Sequence, residues 1–189
     1  MYSDLENCGF IRKYTPIGRK ERGAVYQLVD FYTLFYFKFI QGNSNVDGHF
    51  WTLNQASAQY YAWSGLAFER VCFEHVEQIK NALGIAGVMS NVYSWRSKKE
   101  LSDVHGAQID MLIDRRDQVI TLCEMKFSKY RFAIDAEYDE VLMNKIERFR
   151  MDTATKKSIH IALVTTVGLV QNEYSGDVQN VIEMNDLFK

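Results

Sequence analysis

From Gly9 to Asp30 two short runs, FIRKYTPI and AVYQLVD, flank a charged tip bracketed by Gly18 and Gly23. β-Branched and aromatic residues on both sides of such a tip predict a β-hairpin. Asp30 then stands where a helix N-cap would, with Phe31, Leu34, Phe35 and Lys38-Phe39 at helical spacing. That predicted helix is short and aromatic on nearly every side, so it is expected to be buried between two bodies. Gln41 to Phe50 is polar and turn-rich, and a domain boundary is placed there.

Beyond the boundary the periodicities become longer. Ala62 to Leu83 reads as one amphipathic helix, with Phe68, Cys72, Val76, Ile79 and Leu83 on one face and Gly84 closing it. Val88–Trp95, Gly106–Ile113 and Val119–Lys126 read as strands, the last two joined by the short connection DRRDQ. Ile134 to Met151 is a second amphipathic helix, with Tyr138, Val141-Leu142, Ile146 and Phe149 inward. Ile159 to Thr165 is nearly all apolar, as suits a strand buried on both faces. A short last strand around Val181–Met184 fits a sheet edge. The order helix, three strands, helix, strand predicts an α/β fold, a mixed sheet flanked by helices. The expected organisation is a hairpin and aromatic helix over residues 1–42, a linker over 43–61 and the main domain over 62–189.

Composition narrows the function classes. The chain has 189 residues, of which 47% are hydrophobic, 14% aromatic and 24% charged, with one proline. That suits one globular domain plus a fragment of another and excludes wholesale disorder. The net charge of −2 excludes a globally basic nucleic-acid binder. It predicts weak nucleic-acid binding unless a metal or a partner supplies positive charge. Cys8, Cys72 and Cys123 are odd in number and far apart, which argues against a disulfide framework and for a cytoplasmic location. No signal peptide is visible, and the most apolar stretch, Phe31–Ile40, is too short for a bilayer and carries Lys38, so no membrane partner is expected. No phosphate-binding G-x-x-x-x-G-K-[ST] loop occurs, so the chain has no ATP site of that type.

One constellation carries chemistry. Glu124 and Lys126 lie two apart on a strand and so share a face. Folding the hairpin about Arg116-Asp117 brings Asp110 opposite the Cys123–Glu124 end of its partner strand. Two carboxylates and an ammonium then converge at the end away from the turn. Such carboxylates repel unless something compensates them. Lys126 offsets part of the repulsion, and a divalent cation would offset more. Magnesium, or manganese in its place, held by Asp110 and Glu124 could polarise a phosphodiester and activate a water. On the preceding helix, Glu69 falls at the margin of the apolar stripe, whereas Glu74 and Glu77 point away.

Asp110 followed by Glu124-Met125-Lys126 resembles the D…E-x-K signature of the PD-(D/E)XK nuclease superfamily, whose core has the same αβββαβ order. S-G-L-A-F-E (Ser64–Glu69), G-A-Q-I-D-M-L-I-D-R (Gly106–Arg115) and C-E-M-K-F-S (Cys123–Ser128) resemble the nuclease-like C-terminal domain of certain prokaryotic AAA-type ATPases. The segment from Cys8 to Ile40 resembles the end of the winged helix in those proteins and the helix after it. The resemblance implies a restriction-endonuclease-like fold acting on DNA, with Asp110, Glu124 and Lys126 as the catalytic set and Glu69 assisting. Ile109 stands where the superfamily name has proline. The family's ATPase module is absent, so the chain is expected to be a C-terminal piece, cut or separately encoded, with an AAA-type ATPase as a partner in trans. A homo-oligomer is equally open.

Each feature has a plainer rival. The Asp110, Glu124 and Lys126 group could be a surface ion-pair cluster, although the apolar residues beside it point to burial. Glu69 could pair with a lysine on a helix face. Lys129 and Arg131 could contact a phosphate backbone or line a solvated loop, and Arg19, Lys20 and Arg22 could form a DNA-contacting wing or an ordinary charged turn. Lys145 is read as a snorkelling lysine rather than a catalytic one. The alternative function is a non-catalytic module that binds nucleic acid or a partner through a residual nuclease fold. A self-standing defence nuclease is a third reading.

Overall fold

The computed structural model describes residues 2–14, 25–42, 48–97 and 106–189. The hairpin-tip residues Arg19, Lys20 and Arg22 lie outside the described residues, as does most of the polar loop after Gly42. After a short helix α1 (Tyr2–Asn7), strands β1 (Ile11–Tyr14) and β2 (Val25–Leu28) pair antiparallel, with Ile11 opposite Leu28. The predicted hairpin is therefore present. Helix α2 (Phe31–Phe35) follows, and the Asp30 carboxylate accepts from Thr33 N at 2.6 Å, as an N-cap does. It continues into a π-helical turn, Tyr36–Ile40.

The aromatic segment, expected to be buried between two bodies, is covered on one side within the described residues. One side packs: Phe35 and Phe39 meet Trp51 and Trp63 edge-on, with ring centroids 5.0–5.7 Å apart, and Phe39 is buried. The other side is open, with Tyr32 69% and Phe37 57% exposed. Among the described residues, α3 (Phe50–Asn54) and the start of α4 (Ala58–Glu74) supply its aromatic contacts, through Trp51 and Trp63.

Helix α4 begins four residues earlier than predicted because the Ser57 hydroxyl caps it, accepting from Tyr60 N at 3.1 Å. The single long helix expected to Leu83 is broken at His75 into α4 and α5 (Val76–Ala82). His75 N–H bonds Cys72 O rather than Val71 O, and the imidazole Nδ1 takes Val71 O instead at 2.8 Å. The side chain thus replaces the backbone donor that the break removes. The end of α5 agrees with the sequence. Gly84 has φ +69°, its N–H bonds Asn81 O, and Ile85 N–H bonds Lys80 O, which is the paired closure a C-terminal glycine allows. Arg12 of β1 pairs with Glu74 of α4, which ties the N-terminal hairpin to this helix.

The main sheet has five strands in spatial order β3 (Ser90–Arg96), β4 (Gln108–Arg115), β5 (Val119–Lys126), β6 (Ser158–Thr165) and β7 (Val178–Glu183). The first three are antiparallel neighbours and the last three parallel, so the sheet is mixed. Helix α6 (Ala136–Thr153), capped by Asp135, forms the crossover from β5 to β6. Strand β7 lies on the edge, as the sequence predicts. The α/β class with flanking helices is therefore as expected.

Both faces of the sheet are covered, which explains the near-continuous apolar runs of β5 and β6. On one face Phe68, Cys72 and Ile79 pack on Met111, Ile113, Cys123, Met125 and Val164. On the other, Phe149 packs with Trp95, Ile109, Leu112 and Leu122. Each fully buried Ile, Leu, Met or Phe side chain among these contributes about 1.5–3 kcal/mol.

Candidate functional site at the open end of the central hairpin

Strands β4 and β5 turn at Arg116–Gln118, and Met111 pairs with Cys123. One residue further from the turn, Asp110 faces the Glu124 end of β5, as the folded hairpin requires. A second feature was not legible. Tyr93 pairs with Leu112 but Trp95 with Ile109, so Asp110 and Met111 together oppose Ser94. This is a β-bulge. It shifts the alternation, because Ile109 and Leu112 join the same core cluster although they are three positions apart. Bulges bend a strand and re-aim side chains, often beside functional sites. Here the bulge falls on Asp110.

Glu124 is the centre of the group. It is only 2% exposed. Lys145 Nζ donates to both of its oxygens, at 2.8 and 2.9 Å, and the Tyr138 hydroxyl donates to Oε1 at 2.7 Å. Lys126 Nζ lies 3.3 Å from the same Oε1 and 4.6 Å from the centre of the Tyr138 ring. Burial pushes the Glu124 carboxyl up, but Lys145 and then Lys126, with the donated hydrogen bonds, outweigh it and hold the group below its usual value. Burial and the Glu124 charge push the Tyr138 hydroxyl up, so it stays a donor.

The other two carboxylates are less well matched. Asp110 accepts from Gln108 Nε2 at 2.8 Å, and Gln108 in turn accepts from Arg96. Burial raises the Asp110 carboxyl, the Gln108 bond lowers it, and the Glu124 charge raises it again, for a net rise. Glu69, on α4, is raised to about 7, first by burial and then by Asp110. The structure thus brings Glu69 within electrostatic reach of Asp110, Glu124 and Lys126.

The reading of Lys145 as a snorkelling side chain is corrected: its ammonium is spent on a buried carboxylate. The periodicity of α6 places Tyr138 inward but does not show its partner. The two are seven residues apart on α6, two helical turns, so they share a face. A hydroxyl and an ammonium on the inward face of a crossover helix were the available signal. Gln108 gave none. Lys129 and Arg131 are exposed on the loop after β5, where Ser128 and Phe132 are tied to Thr166 and Gly168, and Lys129 lies 5.7 Å from the centre of the Tyr130 ring. Cys123, next to Glu124, is buried, and burial raises its thiol to about 12, so it is a core thiol rather than a nucleophile.

Among the described residues no group of three or more His, Cys, Asp or Glu side chains is arranged to hold a metal ion. What the site offers is the facing pair Asp110 and Glu124. Asp110 Oδ2 has no hydrogen-bond donor among the described residues, and the two raised carboxyls mark a shortage of positive charge. That fits magnesium, which takes one or two carboxylates and keeps several waters. Among the described residues no helix is long and apolar enough to cross a membrane. In comparisons with known proteins, the chain matches no family model and no curated protein.

Proposed function

We propose that this chain carries a metal-dependent nuclease-like domain of restriction-endonuclease type that hydrolyses DNA phosphodiester bonds. The observation that carries the reading is the placement of Asp110 and Glu124 next beyond the Met111–Cys123 pair at the open end of a hairpin, with two lysines on the buried carboxylate. Asp110 and Glu124 are the residues that would hold magnesium or manganese. When bound, such an ion would polarise the phosphate and lower the pKa of a water.

The chain's own residues supply the rest. Lys126, beside Glu124 and over the Tyr138 ring, is placed to stabilise charge developing on the phosphate oxygens. Glu69, with its carboxyl near neutrality, is suited to orient a water and exchange a proton with it. Lys129 and Arg131 are the cations nearest in sequence for backbone phosphates. The sequence resemblance, rather than any contact, supports placing the domain in an AAA-type ATPase system, with residues 1–42 as the end of a winged helix.

A second reading is a non-catalytic nucleic-acid or partner-binding module with a residual nuclease fold. The grip of Lys145 on both Glu124 oxygens favours it, because that contact takes the place of a ligand bond. Incubation of labelled DNA with protein and magnesium separates the two. Cleavage that is abolished by chelator, by Asp110→Ala and by Lys126→Ala supports the enzyme. Cleavage that survives both substitutions, or none from the unaltered protein, overturns it.

A further inference from the structure

Glu124 is well supplied with cationic and hydroxyl donors while its neighbours are not. Lys145 donates to both of its oxygens, at 2.8 and 2.9 Å, and Tyr138 and Lys126 share Oε1. Asp110, across the hairpin, has a single side-chain donor, Gln108, among the described residues. A cation held between Asp110 and Glu124 needs one Glu124 oxygen, and Lys145 touches both. A divalent ion there would stand within a few ångströms of the Lys145 ammonium, and like charges that close repel. Lys145 has somewhere to go: its side chain is 15% exposed, whereas Glu124 is 2% exposed. A long, flexible ammonium can swing towards solvent, and a buried carboxylate on a central strand cannot.

The geometry points to Lys145 as a competitor for the metal: in the ion-free protein it latches Glu124, and cation binding requires its ammonium to leave at least one oxygen. This inference rests on the metal-dependent reading and adds to it that Lys145 sets the affinity. A phosphate oxygen of a bound substrate is the natural destination for the released ammonium. Metal and phosphate then favour each other's binding, since each gains from the same displacement. Tyr138 remains in place as the fixed donor that keeps Glu124 aligned after Lys145 departs.

The test uses the full chain and two readouts other than cleavage. The first is amine-reactive labelling of the unaltered protein, followed by peptide mass spectrometry, with and without magnesium. Labelling of Lys145 is expected to rise several-fold with magnesium, while the exposed Lys189 stays constant. Asp110→Asn should remove the rise. The second is manganese binding, read by electron paramagnetic resonance, to the unaltered chain and to Lys145→Met. Loss of the competitor should tighten binding about tenfold or more, within the range seen when groups around a metal's ligands change.

Lys145→Met leaves a buried charge with fewer partners and can fail to fold; labelling of the unaltered protein then decides alone. If manganese binds but Lys145 labelling is unchanged by magnesium, the latch is wrong and the metal site stands. If no manganese binds to either protein and labelling is unchanged, both the latch and the metal-dependent reading fall.

Discussion

Replacing Tyr138 by phenylalanine removes one hydroxyl and little else. The ring keeps its edge-on contact with Phe132, at 5.2 Å between centroids, and its place under the Lys126 ammonium. What is lost is the 2.7 Å bond to Glu124 Oε1. A hydrogen bond to a charged group contributes about 1.5–3 kcal/mol. Glu124 is too buried for water to replace the donor, but Lys126 and Lys145 remain, so the whole of that range applies. In a chain of this size each kcal/mol lowers the melting temperature by about 2–4 °C. The Tyr138→Phe protein should therefore melt roughly 3–12 °C lower at pH 7. Urea unfolding gives the free energy directly, and the same substitution in a Glu124→Gln background isolates the pair. Most of the loss should disappear there, because the acceptor is no longer ionised. A loss below about 0.5 kcal/mol in the single variant, within ordinary surface-substitution scatter, would refute the view that Glu124 is a buried anion held by these donors.

Other outcomes follow from the same geometry. The Glu69 carboxyl is raised to about 7 from an ordinary 4.5, so between those values the folded chain keeps a proton that the unfolded chain releases. Stability should fall as pH rises through that window, and Glu69→Gln should flatten the fall; urea midpoints at pH 5 and pH 8 that shift equally in both proteins would contradict this. Gly168 has φ +102°, and a Cβ there would lie 2.5 Å from Glu183 Oε1, so Gly168→Ala should cost about 1–3 kcal/mol, read by thermal melting.

Much of the fold was legible because its periodicities are strong. The β5 limits came directly from the sequence, since Arg116–Gln118 marks one end and the charged Lys126 the other. The Asp30 cap, the Gly84 closure and the α6 crossover were legible for the same reason: each is a local signal with a local cause. The misses have non-local causes. The break at His75 involves no proline or glycine and depends on an imidazole that replaces a backbone donor. The bulge at Asp110 arises from pairing with β3, which the sequence of β4 alone does not reveal. Which face of the aromatic helix is covered depends on how α3 and α4 lie against it, which its own sequence does not reveal.

The site divides in the same way. Asp110, Glu124 and Lys126 were visible from strand spacing and from the hairpin turn, because both fix side-chain direction. Glu69 was visible as a carboxylate at the margin of a helical stripe. Tyr138 and Lys145 were not assigned, since their role depends on how the crossover helix lies over β5. Lys145 illustrates the limit: at the edge of an apolar stripe, a snorkelling lysine and a buried ion-pair partner have the same sequence pattern.

The most direct measurement is anomalous diffraction from a crystal of the full chain soaked in manganese. The account predicts a peak between the Asp110 and Glu124 carboxylates, with the Lys145 ammonium moved off at least one Glu124 oxygen. Diffraction that shows no peak there, with Lys145 still on both oxygens at millimolar manganese, would contradict it.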